Sequence, residues 1–135
     1  MSRDGTNSLG LSAGVLQRFR SPRHGGAPDG TGWERVECVS ADGASRLDLW
    51  FCVNSGELRF QAFGGPELIA AADWCVERTL AGELVWPPGP GARALLDALE
   101  LPAAAAGDMA LVERAFQALP TVFFDAMRSV RKRSR

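Results

Sequence analysis

Residues 46–63 constrain the fold more than any other part of the chain. Leu47, Leu49, Phe51 and Val53 alternate with Arg46, Asp48, Trp50 and Cys52, the period of a strand with one buried face. Asn54-Ser-Gly-Glu57 then reads as a tight hairpin turn leading into a second strand over residues 58–63. A weaker strand pattern over residues 33–40 precedes them. Three consecutive strands joined by short turns predict an antiparallel meander, and its single apolar face needs a cover.

The cover comes from the second half of the chain. Pro66 suits a first helical position, and Leu68, Ile69, Ala72, Val76 and Leu80 share one face until Gly82. The stretch Trp86-Pro-Pro-Gly-Pro-Gly91 excludes regular structure over residues 83–91. Residues 92–101 carry Leu95, Leu96 and Leu99 and stop at Pro102. Asp108 is then expected to cap a helix whose inner face is Met109, Val112, Ala115, Phe116 and Leu119. Pro120 breaks it, and residues 122–131 predict a last helix. Ahead of the strands, residues 9–19 space Leu11, Val15, Leu16 and Phe19 as a short amphipathic helix with Ser12 at its cap. Residues 21–32, dense in Gly and Pro, predict an irregular connection. The expected class is therefore α+β, a three-stranded antiparallel sheet with helices packed mainly on one face.

With 135 residues, 46% of them hydrophobic, the chain suits one domain over residues 1–135. Residues 1–8 and 132–135 are expected to be loose. No apolar run approaches a membrane span and the opening residues lack the apolar core of a signal peptide, so a cytoplasmic location is expected. The basic run Arg128-Ser-Val-Arg-Lys-Arg-Ser-Arg135 has no interleaved aromatics. It reads as a solvated helix end, with no nucleic-acid partner expected.

Candidate chemistry is sparse. Cys38, Cys52 and Cys75 are three widely spaced thiols without a Cys-x-x-Cys pair, which argues against a disulfide framework and gives no zinc signature. His24, the single histidine, sits in the Gly-rich connection and reads as a solvent-facing loop residue. Gly64-Gly65 before Pro66 reads as a plain strand-to-helix turn rather than an anion nest. Trp33, Trp50, Trp74 and Trp86 fill a core or offer a partner surface. No nucleophile has a base nearby in sequence and no nucleotide-binding Gly pattern occurs, so no enzymatic activity is expected.

Residues 59–74 bring in a resemblance. Arg59-Phe-Gln-Ala-Phe-Gly64, followed by Ile69-Ala70, resembles the central motif of the iron-sulfur cluster assembly scaffolds, IscU and the N-terminal domain of NifU. In that family Arg-Phe-x-x-Phe-Gly runs into Cys, and a helix with Ile-Ala follows. Arg20-Ser-Pro-Arg-His-Gly-Gly26 is similar to the family's early Asn-Pro-Arg-x-x-Gly loop, Gly30-Thr-Gly32 to its Gly-x-Gly, and Leu99-Glu-Leu-Pro102 to its Leu-Pro segment. The match spans residues 19–119. It implies an IscU-like fold, an iron-sulfur cluster or iron as cargo, and a cysteine desulfurase or other assembly protein as partner.

The same resemblance places the family's three cysteines at Gly43 (or its neighbour Asp42), Gly65 and Asp108, so each matched thiolate is replaced. The remaining donors are Asp42 and Asp108, hard carboxylates suited to a lone metal ion rather than a cluster. Cys38, nearest the first of these positions, is the remaining candidate sulfur donor. Leu101-Pro-Ala-Ala-Ala105 lacks the second Pro and the Lys of the family's chaperone-recognition stretch. The implied function is a scaffold-like assembly protein degenerate in cluster binding and acting through protein contacts; the alternative is a pseudo-scaffold that binds neither cluster nor metal.

Overall fold

The hairpin forms as the alternation predicts, and the rest of the domain is arranged around its apolar face. The structure, a computed structural model, describes residues 13–20, 22–86 and 88–133. In order it contains α1 (Ala13–Arg20), β1 (Glu34–Val39), β2 (Arg46–Cys52), β3 (Glu57–Phe63), α2 (Pro66–Leu80), α3 (Ala92–Ala98), a 3-10 turn (Ala103–Ala105), α4 (Ala106–Gln117) and α5 (Thr121–Arg133). The class is α+β. The strands form one antiparallel sheet in the order β1-β2-β3, with Leu47 opposite Cys38 and Ala62, and Leu49 opposite Val36 and Phe60.

Period-2 alternation decides which face is covered. Leu47, Leu49, Phe51, Leu58 and Phe60 are buried together; α2 lies against β3 and α4 against β1 and β2. Phe123 of α5 meets Phe51 edge-on, with ring centroids 5.5 Å apart. In α2 the residues Leu68, Ala72, Cys75, Val76 and Thr79 recur at three- and four-residue spacing and are buried, the stripe of a helix laid on a core. The hairpin turn requires glycine twice over. Gly56 has φ +72°, its N–H donates to the Cys52 carbonyl at 2.8 Å, and a Cβ there would lie 3.1 Å from Met127 Cα. It therefore supplies a left-handed conformation and lets α5 approach.

Several expectations are corrected. The connection over residues 21–32 is not wholly irregular: Gly26 N–H donates to the Phe60 carbonyl at 2.8 Å and Phe60 N–H to the His24 carbonyl at 3.0 Å, which closes the β3 edge in parallel. Asp108 does not cap α4. The helix starts earlier, at Ala106, directly after the 3-10 turn, and Asp108 stands in its first turn with its carboxylate engaged elsewhere. A run of alanines extends the helix N-terminally because alanine has the least helical cost. α5 continues to Arg133, into the tail expected to be loose. Ser12, residues 1–8 and residues 134–135 lie outside the described residues. Among the described residues no helix is long and apolar enough to cross a membrane.

Candidate functional site

The β1–β2 connection is a self-bonded loop. Ser40 N–H donates to the Ser45 carbonyl at 2.9 Å, and Gly43 N–H, at φ +74°, donates to the Ser40 carbonyl at 2.9 Å. Asp42 Oδ1 accepts from Ser40 Oγ at 2.7 Å and from Ala44 N–H at 3.0 Å, while Ser45 N–H donates to Ser40 Oγ at 3.0 Å. The Ser40 hydroxyl, then the Ala44 N–H, hold the Asp42 carboxyl below its ordinary value. Asp/Ser side chains that satisfy their own loop in this way are a local alternative to ladder pairing. Asp42 is exposed, with its carboxylate committed inward to the loop.

The second position, Gly65, is the N-cap residue of α2, at φ −78° and ψ 173°. That is extended backbone, open to any residue type. Glu67 occupies the first turn, and a Cβ added to Gly65 would stand 3.1 Å from Glu67 Oε1. Its neighbour Gly64 is tighter, since a Cβ there would come within 2.9 Å of Leu68 Cδ2 and 3.0 Å of Ser45 Oγ. The β1–β2 loop thus touches the β3–α2 junction.

The third position joins them. Ser45 Oγ donates to Asp108 Oδ1 at 3.4 Å. Burial is the main force raising the Asp108 carboxyl above its ordinary value; the Ser45 hydrogen bond opposes it, and the negative charges of Glu67 and Asp42 add to it. A like charge nearby disfavours ionisation. Three segments far apart in sequence therefore meet at one end of the sheet: residues 40–45, 64–67 and 107–108. Beside them runs an open cleft of about 630 Å³ lined by Ser40, Asp42, Ser45, Gly107, Asp108 and Arg114, among others.

Gly43, Gly65 and Asp108 thus belong to segments brought together by the fold, and the Asp42 charge contributes to the raised Asp108 carboxyl. The thiols stand apart. Cys38 faces Leu47 on the core side of β1, half-buried beneath α4, and its pKa is raised, chiefly by burial. Cys52 lies at the hairpin end of β2, on the outer face, and hydrogen bonding from Ser55 lowers its pKa. Cys75 is fully buried in α2 and burial pushes its thiol far up, so it packs as a small apolar group. Among the described residues no group of three or more His, Cys, Asp or Glu side chains is placed to hold a metal ion.

His24 is more than a loop residue: its backbone N–H donates to Asp73 Oδ1 at 2.9 Å. The same buried carboxylate takes Arg18 Nη1 at 2.8 Å, and Arg18 Nη1 also reaches Glu77 Oε1 at 3.0 Å. Sequence reasoning missed Ser45 and Glu67 as members of the candidate site. Ser45 was visible only as a loop boundary, and Glu67 only as an acidic residue in a first helical turn. Comparison of the sequence with known protein families gives no matching family model, and comparison with curated proteins gives no match.

Proposed function

We propose that this chain is a scaffold-like protein of iron-sulfur cluster assembly, with an IscU-like fold, that has lost its cluster donors and acts through contacts with assembly proteins such as a cysteine desulfurase. The observation that carries the reading is the meeting of residues 40–45, 64–67 and 107–108 beside one cleft. Those are the three segments in which the resemblance places cysteines, and they lie at a single end of the sheet.

The donor set does not fit a cluster. Gly43 and Gly65 offer no side-chain donor, and Asp108 and Asp42 offer carboxylate oxygens that already accept hydrogen bonds. Bridging sulfide and iron call for thiolates, and carboxylates are hard donors. Asp108 is also raised in pKa, which disfavours the ionised form a metal ligand needs. Cys38, half-buried and raised, favours thiol over thiolate. A cluster is therefore not held as cargo, and what remains is the shape and surface of the site.

Anaerobic reconstitution with iron and sulfide, read by visible absorbance and metal analysis, tests the absence of cargo; the expected product is colourless. A stoichiometric chromophore lost in Cys38→Ala would reinstate a cluster carrier. Direct binding to a purified cysteine desulfurase, by calorimetry, tests the partner, and no heat at any concentration would remove the assembly role.

A further inference from the structure

The two edges of the sheet are treated differently. β3 is closed by residues 24–26 through the Gly26–Phe60 and Phe60–His24 hydrogen bonds. Among the described residues, no segment pairs with the outer edge of β1 in this way. Ser40 N–H donates to the Ser45 carbonyl, which sets the alternation of the β1–β2 ladder. Residues 34, 36 and 38 direct their N–H and C=O groups toward β2; residues 35, 37 and 39 direct theirs outward. Of these, the Val39 carbonyl accepts from Arg114 Nη2 at 2.8 Å. Among the described residues, the outward N–H and C=O of Arg35 and Glu37 have no hydrogen-bond partner.

From this we infer that β1 pairs with β1 of a second copy of this chain, antiparallel about a two-fold axis through Val36, to form a six-stranded sheet. Parity restricts the registers, because outward-facing residues must oppose outward-facing residues. An axis through Arg35 or Glu37 sets like charges directly opposite each other, which is unfavourable. An axis through Val36 sets Arg35 opposite the partner's Glu37, twice by symmetry, in hydrogen-bonded positions on the outer face. It also sets the two Val36 side chains against each other on the core face. Val36 is only partly buried there, although its neighbour Leu49 is fully buried. Arg35 and Glu37 have side chains 43% and 45% exposed; Arg35 lies over the Trp50 ring and 3.9 Å from buried Asp48, beyond hydrogen-bond distance, and Glu37 is 3.4 Å from Arg46.

Charged edge residues also serve to keep sheets apart, and the experiment separates the two roles. In a Cys38→Ser background of the full chain, Val36→Cys should give a disulfide-linked dimer under mild oxidation, because the paired Cα atoms stand about 4.5 Å apart in this register. Glu37→Cys should not, its copies being two residues out of step. In sedimentation equilibrium, Glu37→Arg should raise the dimer dissociation constant about tenfold with an unchanged circular dichroism spectrum. A chain that stays monomeric to about millimolar concentration overturns the inference. Equal crosslinking at both positions, or a dimer indifferent to Glu37→Arg, overturns it equally. Should Val36→Cys fail to fold, sedimentation of Glu37→Arg against the unaltered chain decides alone.

Discussion

Ser45 and Asp108, 63 positions apart, are joined by a hydrogen bond from Ser45 Oγ to Asp108 Oδ1 at 3.4 Å. The contact ties the β1–β2 loop to the first turn of α4 and fixes how the candidate site is closed. Asp108 is half-buried there and its pKa is raised, mainly by burial. A raised carboxyl means that the folded chain holds this proton more tightly than the unfolded chain. Its contribution therefore falls as pH rises from the unfolded value through the folded one, and stays low above it. Asp108→Asn keeps an acceptor for Ser45 and removes that loss. Urea unfolding should show the variant gaining on the parent chain at pH 7 and converging with it below the carboxylate range.

Arg18 holds α1 and α2 together through two acids, Asp73 at 2.8 Å and Glu77 at 3.0 Å. Asp73 is buried, so Arg18→Ala leaves a carboxylate oxygen without its cationic partner. The expected cost is about 2–4 kcal/mol, measured by denaturant unfolding at neutral pH. Glu77 reports on the same contact through pH. Its carboxyl is depressed, first by the Arg18 hydrogen bond, so its stabilisation is present above the unfolded value and lost as pH falls through the depressed folded one. The Arg18→Ala chain should lack that part of the acid dependence.

Trp86 pins the Pro-rich connection between α2 and α3. Its ring is buried against Phe116, and its Nε1–H donates to Thr79 Oγ1 at 3.1 Å. Gly89 packs against that ring at φ +60°, and a Cβ there would overlap it. Gly89→Ala should therefore displace the indole, leave Thr79 unpaired, and cost about 3 kcal/mol. A red-shifted tryptophan emission in the folded variant, absent from Thr79→Val, would separate displacement from simple loss of the hydrogen bond.

Glu100 is the non-glycine residue with positive φ, at 54°, among the described residues. It follows α3, where the Leu101 N–H donates to the Leu96 carbonyl at 2.9 Å, a helix ending that glycine favours. Glu100→Gly should stabilise the chain by about 0.5–1 kcal/mol, seen as a higher denaturant midpoint at unchanged slope.

The parts of the fold that were legible are those decided by local periodicity. The alternation of Leu47, Leu49 and Phe51 gave the covered face of β2, and Pro66 gave the start of α2. Asp48 was not legible. It alternates as an outward polar residue, yet it is fully buried because Arg46 at 2.9 Å and Arg35 at 3.9 Å close over it. Arg46 shares the strand and face of Asp48, but Arg35 reaches it only through the β1–β2 register, which no single strand encodes. The cap expected at Asp108 failed for a related reason. The carboxylate has a tertiary partner in Ser45, and an alanine run carries the helix past it. The positions singled out by resemblance, Gly43, Gly65 and Asp108, fall in the segments that converge, whereas Ser45 and Glu67 entered only through three-dimensional proximity.

The convergence makes restoration of the missing thiols the sharpest test of the proposed function. At Gly65 the backbone is extended and the nearest obstacle to a Cβ is the end of the flexible Glu67 side chain, so Gly65→Cys should fold with little strain. Its thiol would stand at the start of α2, where the helix dipole favours thiolate, although Glu67 opposes it. Asp108→Cys removes a raised carboxyl and places sulfur in the first turn of α4. For the third donor, Gly43 has φ +74°, so Gly43→Cys should cost about 1–2 kcal/mol, and Asp42→Cys loses the loop bonds from Ser40 and Ala44. Both triple variants should be reconstituted with iron and sulfide beside the parent chain. The expected outcome is a sulfide-containing chromophore in at least one triple variant and none in the parent. If both triple variants fold yet stay colourless, the three segments do not form a cluster-sized site, and the scaffold ancestry proposed for this chain loses its structural support.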